Sequence, residues 1–590
     1  MSFNQYYQSE LNALRQLGGV FAERNPALAH FLGQGGRDPD VERLLEGFAF
    51  LTGRLREKLD DDLPELTHSL MYLLWPNYMR PLPSFSMVQF QPLAQVGPAV
   101  IAARDTQIES EPVDGVICKF RTCYATEIQA LKLVTLNYSE AGEGAILTLR
   151  LEVTGDGHLG GLELSRLRLH FSDDPYISKT LYLSLLRHLE SVDLLLLGTD
   201  KEYEKPADVS LTLPPDCVQP VGFAEDEALI PYPLNTFRGY RYLQEYFAFH
   251  EKFLFVDVSG LEVLHSLPED TLKHSSGIEL RFNITKNGME RQRPTIKNVL
   301  LYCTPIVNLF TSDASPIRFD GKQDHYMLLP DEEKRGHRSV FSVDKVGTSE
   351  ADGQREVFVP FESFEHDASF DAGQARPHYS VRQRSSLSHE GLDTFLSFGA
   401  QNIDLSQTVS VDLTCTNQNL PRRLKVGDIH NTKTTLETLI FKNIQVPTAS
   451  YAPPLNRDFL WKLISNMSLN YVSLANVNAL KVILETYDLP RYYDQKSLQV
   501  SKTLLDGLKS ISHQHVDRLH RGLPVRGLRT ELLIDPKGYV GEGDLFLFAS
   551  ILNEFFALYA SLNSYHELHV KSTQGEVYQW MPRMGLQPLL

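Results

Sequence analysis

Apolar residues recur at helical spacing through the run Val41, Leu44, Leu45, Phe48, Leu51, Leu55 and Leu59. Arg43, Glu46, Arg54, Arg56 and Glu57 fall between them and supply a polar face. Asp38 is suited to the N-cap and Pro39 to the first helical position. Asp40 and Glu42 follow in the first turn, where the helix dipole favours negative charge. A second start, Asp62-Leu63-Pro64-Glu65, opens a stripe of Leu63, Leu66, Leu70, Leu73 and Leu74 that ends at Trp75-Pro76. Upstream, Tyr7, Leu11, Leu14, Gly18 and Phe21 follow the four-three spacing of a coiled-coil seam. Asn25-Pro26 breaks that helix, and Leu28, Phe31 and Leu32 suggest a short one after it. The pattern therefore predicts an all-helical segment over 1–80. Stacked amphipathic helices need each other, or another chain, to cover their stripes.

Past Arg80-Pro81-Leu82-Pro83 the pattern changes to short alternating runs. Phe85–Phe90, Leu131–Leu136 and the strictly alternating Leu147–Val153 predict strands. A helix is predicted from Tyr176 to Glu190, with Ile177, Leu181, Leu185 and Leu189 on one face, followed by a buried strand after Asp193. Pro214-Pro215 and Pro231-Tyr232-Pro233 bracket an expected loop-rich linker. The aromatic-dense run Arg241–Phe255 predicts a short helix, a turn, then a strand through Val256 and Val258. Ser339–Val343, Val357–Val359 and Val409–Cys415 read as further strands. Beyond Pro453-Pro454, a helix starts at Phe459, and Asn476 caps another with Val477, Leu480, Ile483 and Leu484 as its stripe. Leu528–Ile534 reads as a strand. Asp544 is the expected N-cap of a long helix striped by Leu545, Phe548, Leu552, Phe555, Phe556, Tyr559 and Leu562. Glu567–Lys571 and Glu576–Trp580 form a hairpin around Gly575. The chain thus predicts a multidomain α+β protein: a helical region at 1–80, β-rich domains at 81–214 and 215–445, and an α+β domain at 446–590.

Composition narrows the function classes. A chain of 590 residues has room for several domains, each with its own core. A net charge of −17 argues against broad contact with a phosphate backbone or an anionic membrane. The acidity also makes core packing the better reading of the aromatic run than base stacking. The first ten residues have neither a basic nor a continuous apolar region, so no signal peptide is expected. Leu194–Leu197, the densest apolar run, is too short to span a bilayer. Five scattered cysteines, Cys118, Cys123, Cys217, Cys303 and Cys415, fit reduced thiols.

Few motifs in the chain suggest a chemical site. Gly155-Asp156-Gly157-His158-Leu159-Gly160 matches GxGxxG, but the alternating Leu162–Phe171 follows where a helix should open, so a hairpin turn is expected. No HExxH, P-loop, GxSxG or CxxC occurs. Cys118 and Cys123 have an odd separation on a strand, which points them to opposite faces. His513 and His515 would share a strand face, but no third ligand is in view. Asp60-Asp61-Asp62 is better read as helix capping than as a cation site. No cofactor and no metal are expected.

A long ungapped resemblance enters at Asp38-Pro39-Asp40-Val41-Glu42-Arg43-Leu44-Leu45-Glu46-Gly47-Phe48-Ala49-Phe50-Leu51, Lys58–Leu66 and Trp75-Pro76-Asn77-Tyr78. These resemble the N-terminal signature of the TssF family of type VI secretion baseplate subunits. Arg241–Phe255 also resembles the family, with His250 where proline is usual. So do Cys303–Phe310, Ser315-Pro316-Ile317, Gly522–Gly527, Phe555–Ser564 and Trp580-Met581-Pro582-Arg583.

The resemblance implies a structural, non-enzymatic subunit. Two TssF copies would join one TssG through a common helical core, with TssK and TssE, around a VgrG hub. That wedge would start tail-tube and sheath assembly, in the cytoplasm against the inner-membrane complex of a Gram-negative bacterium. The candidate interface residues are Leu11, Leu14, Phe21, Val41, Leu44, Phe48, Leu51 and Leu55. Two rivals stand beside this reading. One is a phage-type tail subunit outside type VI secretion. The other is a cytosolic hydrolase using Glu542 and Asp544 as paired carboxylates.

Overall fold

A computed structural model describes residues 6–15, 39–60, 71–72, 75–155, 157–198, 206–233, 237–289, 292–318, 323–330, 337–349, 355–361, 377–386, 391–399, 408–432, 439–455, 476–520 and 523–585. The chain divides into two compact units. One comprises Met1–Met79 with Glu362–Phe364 and Pro454–Ser468; the other holds the remainder from Arg80 onward. Within the first, the described elements are helices at 6–15 and Pro39–Asp60, helical residues at Met71 and Tyr72, and a single turn at Pro76–Met79. Asp40 and Glu42 occupy the first turn of the long helix. The predicted start at Asp62 and the helix from Phe459 lie outside the described residues.

The second unit is built on sheets whose strands come from distant parts of the chain. A six-stranded sheet runs Ile429–Asn431, Gln107–Val113, Val116–Thr122, Cys303–Val307, Phe85–Phe90, Phe441–Asn443. Its two edges are drawn together by the buried Asn443, whose Oδ1 accepts from the Gly427 and Ile429 amides, both at 2.9 Å. A five-stranded sheet orders Pro206–Leu213, Leu189–Gly198, Ser275–Ile284, Gly144–Val153 and Leu131–Ala141. A four-stranded sheet orders Val218–Pro220, Phe255–Ser259, Arg166–Phe171 and Val299–Leu301. The strict alternation of Leu147–Val153 becomes alternating burial, as a sheet with one covered face requires.

These pairings do not follow the limit expected at 214. Gly144–Val153 pairs with Ser275–Ile284, and Phe85–Phe90 pairs with both Cys303–Val307 and Phe441–Asn443. The expected linker between the proline pairs is also core: Val221, Leu229 and Ile230 are buried with Phe85, Tyr124, Phe249 and Phe255. Proline marks where a chain turns, and here the turns are inside the fold. The hairpin expected at the GxGxxG run does not form either. The strand before it ends at Val153 in the five-stranded sheet, and the strand after it, Arg166–Phe171, joins the four-stranded one. A 3-10 turn at Leu159–Gly161 lies between, not the α-helix that a nucleotide site needs.

The helix predicted from Tyr176 begins at Pro175, capped by Asp174, and stops at Arg187; Leu189 opens the next strand. The aromatic run forms the helix Gly239–Phe249, a 3-10 turn and the strand Phe255–Ser259, with Tyr240, Tyr242, Tyr246 and Phe249 buried. An eight-stranded sheet takes residues from Phe310 to Thr416 around its own apolar core of Ile317, Val346, Phe358, Leu396, Val409 and Leu413. The last sheet pairs Leu508–His520 with Leu523–Ile534, then Tyr565–Ser572 in parallel, then Val577–Gln579. The long helix beside it, Glu542–Ala557, starts earlier than expected, with Gly541 at the N-cap. It is buried on every side from Gly543 to Phe556, not along one stripe. All five cysteines are buried and unbridged.

Candidate assembly interface

The leading helices approach closely at Gly53, and the longer one turns Leu44, Phe48 and Leu51 outward. A Cβ on Gly53 would stand 3.2 Å from the Tyr7 amide nitrogen, so the two backbones nearly touch there. Toward the other end of the pair, Arg15 bonds Glu42 at 2.6 Å. Tyr7 beside Gly53 and Arg15 beside Glu42 fix an antiparallel arrangement. Ala49 is fully covered, and Leu11, midway between the two contacts, is 4% exposed.

At about 3.6 residues per turn, Leu44, Phe48 and Leu51 fall on the opposite side of the Pro39–Asp60 helix from Ala49 and Gly53. They are 73%, 56% and 67% exposed. Val41 and Leu14 are half-buried. Of the expected set, Leu44, Phe48 and Leu51 therefore form one outward stripe, while Leu11 is covered by the chain itself. Phe21 and the Leu55 side chain lie outside the described residues. Sequence reasoning missed Ala49 and Gly53. Their signal was available as two small residues one turn apart, which lets a neighbouring backbone approach.

The charged groups weighed as chemistry are tied into structure. The Asp544 carboxylate accepts from Lys179 Nζ at 2.7 Å and from the Val540 amide at 3.1 Å, with both ion-pair partners buried. It is thus an internal ion-pair partner and not the expected cap. Glu542 pairs with Lys286 at 3.3 Å. Two carboxylates already held by lysines do not make an acid and base pair over a sugar. His513 Nδ1 lies 2.9 Å from Thr530 Oγ1, which lies 2.8 Å from His566 Nε2. His515 instead lines a cavity of about 320 Å³ with Arg526, Leu528, Tyr559 and Tyr565, and no acidic side chain among the described residues joins it. Among the described residues, no three His, Cys, Asp or Glu side chains converge as metal ligands.

The densest buried charge sits in the second unit. Glu245, 1% exposed, accepts from the Leu229 amide at 2.8 Å and pairs with Arg241 and the fully buried Lys252. Burial lowers the Lys252 ammonium to about 8, against the pull of Glu245. Arg168 clamps Asp257 at 2.7 Å and Glu227 at 3.1 Å in the same region. Each of these charges has a partner, so the network reads as internal scaffolding.

Among the described residues, no helix is long and apolar enough to cross a membrane. Comparison with known proteins is consistent across the chain's length. It is 28% identical over 640 aligned positions to the type VI secretion system component TssF1 of Pseudomonas aeruginosa, covering 99% of each chain. It superposes with a TM-score of 0.77, at 30% identity, on a chain of a TssK-TssF-TssG baseplate subcomplex solved by cryo-electron microscopy, covering 93% of this chain and 99% of that one. A chain of a type VI baseplate complex matches over the full length of both at 26% identity, with a TM-score of 0.67. The model of the type VI secretion family TssF matches residues 1–587, so this chain belongs to the TssF family.

Proposed function

We propose that this chain, a TssF-family baseplate subunit of type VI secretion, builds a wedge in which two copies of it hold one TssG. TssK and TssE complete the wedge, and wedges gather around a VgrG hub to start the tail tube and sheath. The setting is the cytoplasmic face of the inner-membrane complex. The role is mechanical, with no group transferred: helices hold the wedge together.

One observation carries this reading. Leu44, Phe48 and Leu51 stand exposed on a helix whose opposite face is already used. Burying such a side chain returns about 1.5–3 kcal/mol, and a helix from a partner is the natural cover for a stripe at this spacing. The relatives support the partners: one solved assembly contains TssK and TssG beside its TssF chain.

The test is co-purification of the Leu44→Asp variant with TssG, with circular dichroism run alongside. Loss of the complex with an unchanged spectrum is expected. A folded variant that binds TssG normally would overturn the interface. Native mass spectrometry of the wild-type complex tests the stoichiometry, and a mass for one copy per TssG would reject it.

A further inference from the structure

The eight-stranded sheet is joined to the rest of its unit by two adjacent crossings. The strand Cys303–Val307 belongs to the six-stranded sheet and Phe310–Asp313 to the eight-stranded one, with only Asn308 and Leu309 between them. The return strand Thr408–Thr416 leaves through Asn417, Gln418 and Asn419 into the 3-10 turn Leu420–Arg423. Gln418 takes a positive φ of 53°, a conformation costly for a residue with a side chain.

Asn308 and Asn417, one at each crossing, are buried, at 0% and 1% exposure. Within the six-stranded sheet, Cys303–Val307 pairs with Val116–Thr122, with Val307 opposite Arg121. Continuing that ladder would set Leu309 opposite Lys119 and join their backbones. The chain turns away instead, and the Leu309 amide bonds back to the Val307 carbonyl at 2.9 Å. Two side-chain amides take the vacated places. Asn308 Nδ2 donates to the Lys119 carbonyl at 2.7 Å, and the Lys119 amide donates to Asn417 Oδ1 at 3.2 Å. The asparagines also bond each other: Asn308 Nδ2 to Asn417 Oδ1 at 2.9 Å, and the Asn417 amide to Asn308 Oδ1 at 2.6 Å. The Phe310 ring has Lys119 Nζ 5.7 Å and the Arg338 guanidinium 5.5 Å from its centre.

We propose that the described strands of the eight-stranded sheet form a hinged module and that the Asn308–Asn417 pair is the latch that helps fix its angle on the six-stranded sheet. The module has its own core, and among its described residues Phe341 also reaches into the core shared by Phe85, Tyr124 and Phe255, so releasing the latch loosens its orientation about that contact without unfolding it. The amide pair suits such a device. It replaces a strand's hydrogen bonds at one residue, Lys119, and so satisfies the backbone donor and acceptor that the departing strand leaves there. This inference is independent of the baseplate reading.

The test is the full-length chain carrying Asn308→Ala and Asn417→Ala, followed by hydrogen–deuterium exchange and small-angle scattering. Exchange at Lys119 and across 308–310 and 416–419 should rise at least about tenfold, the effect of losing about 1.4 kcal/mol of protection. Strands 340–346 and 409–413 should keep their protection, and the scattering profile should show a broader distribution of intramolecular distances. Unchanged exchange and scattering would overturn the proposal. So would uniform loss of protection through the strands of the eight-stranded sheet, which would make the pair part of the module's own fold. If the double variant does not fold, Asn308→Ser is measured in the same two ways, and the same results support or overturn the latch.

Discussion

Gly53 lies against the backbone of Tyr7, and a Cβ there would stand 3.3 Å from the Tyr7 Cα. That approach sets which face of the Pro39–Asp60 helix is used inside the chain and which is left outward. A bulky substitution is therefore expected to separate the pair. Gly53→Leu should cost about 1–3 kcal/mol through overpacking and lower the helical circular dichroism signal. Gly53→Ala should be close to neutral, because a helix-propensity gain of up to about 1 kcal/mol offsets the tight contact. Thermal denaturation of the two variants checks this. Equal effects would show that the close approach does not matter.

The outward stripe leads to the opposite expectation. Changing Leu44, Phe48 and Leu51 together to serine removes apolar surface that already faces solvent. Stability should move within about 0.5 kcal/mol per site, while binding of a dye that reports exposed apolar surface falls. A large loss of stability would mean that the chain covers these residues itself.

The long buried helix is held at its start by two features. A Cβ on Gly543 would stand 2.2 Å from the Lys179 carbonyl oxygen, closer than any relaxed contact. Gly543→Ala should therefore cost about 1–3 kcal/mol. Asp544→Ala leaves the Lys179 ammonium buried without its carboxylate, a loss of about 3–5 kcal/mol. Asp544→Asn, which keeps the shape and loses the charge, should fall between Asp544→Ala and wild type. Urea denaturation ranks the three.

Acid should weaken the fold through two buried histidines. Burial pushes both His170 and His566 down to about 3. His170 is held neutral against the Leu254 carbonyl at 3.1 Å, with its ring 4.2 Å from that of Phe255. The unfolded chain takes up these protons near pH 6.5, before the folded chain does. Stability therefore falls as pH drops from about 6.5 toward 3, by about 1.4 kcal/mol per pH unit for each histidine once well below the upper value. His170→Gln should remove one proton's worth of this slope between about pH 6 and 4. An identical slope in wild type and variant would contradict the assignment.

Much of this architecture was legible because it is written locally. The period-two run Leu147–Val153, the capped helix after Asn476 and the hairpin around Gly575 each depend on residues within a few positions of one another. The family was legible too, because a long ungapped run of residue identities needs no knowledge of packing. The domain limit near 214 was not legible, since its outcome rests on strand partners more than a hundred residues apart, as Leu147 opposite Phe282 shows; nor was the linker between the proline pairs, whose Val221 and Leu229 are buried against the equally distant Phe85. The burial of Glu542–Ala557 on all sides was hidden for the same reason: its buried carboxylates, Asp544 and Glu554, find their counterions, Lys179 and Arg583, in other parts of the chain.

The stripe itself shows the division most clearly. Spacing alone placed Leu44, Phe48 and Leu51 on one side of a helix, because the helical repeat is a property of the backbone. Which side of that helix faces inward was settled only in three dimensions. Gly53 lets a second backbone come closer than any leucine would allow, and the face it shares with the covered Ala49 was taken inside. The large apolar side chains were left where a partner's helix can cover them.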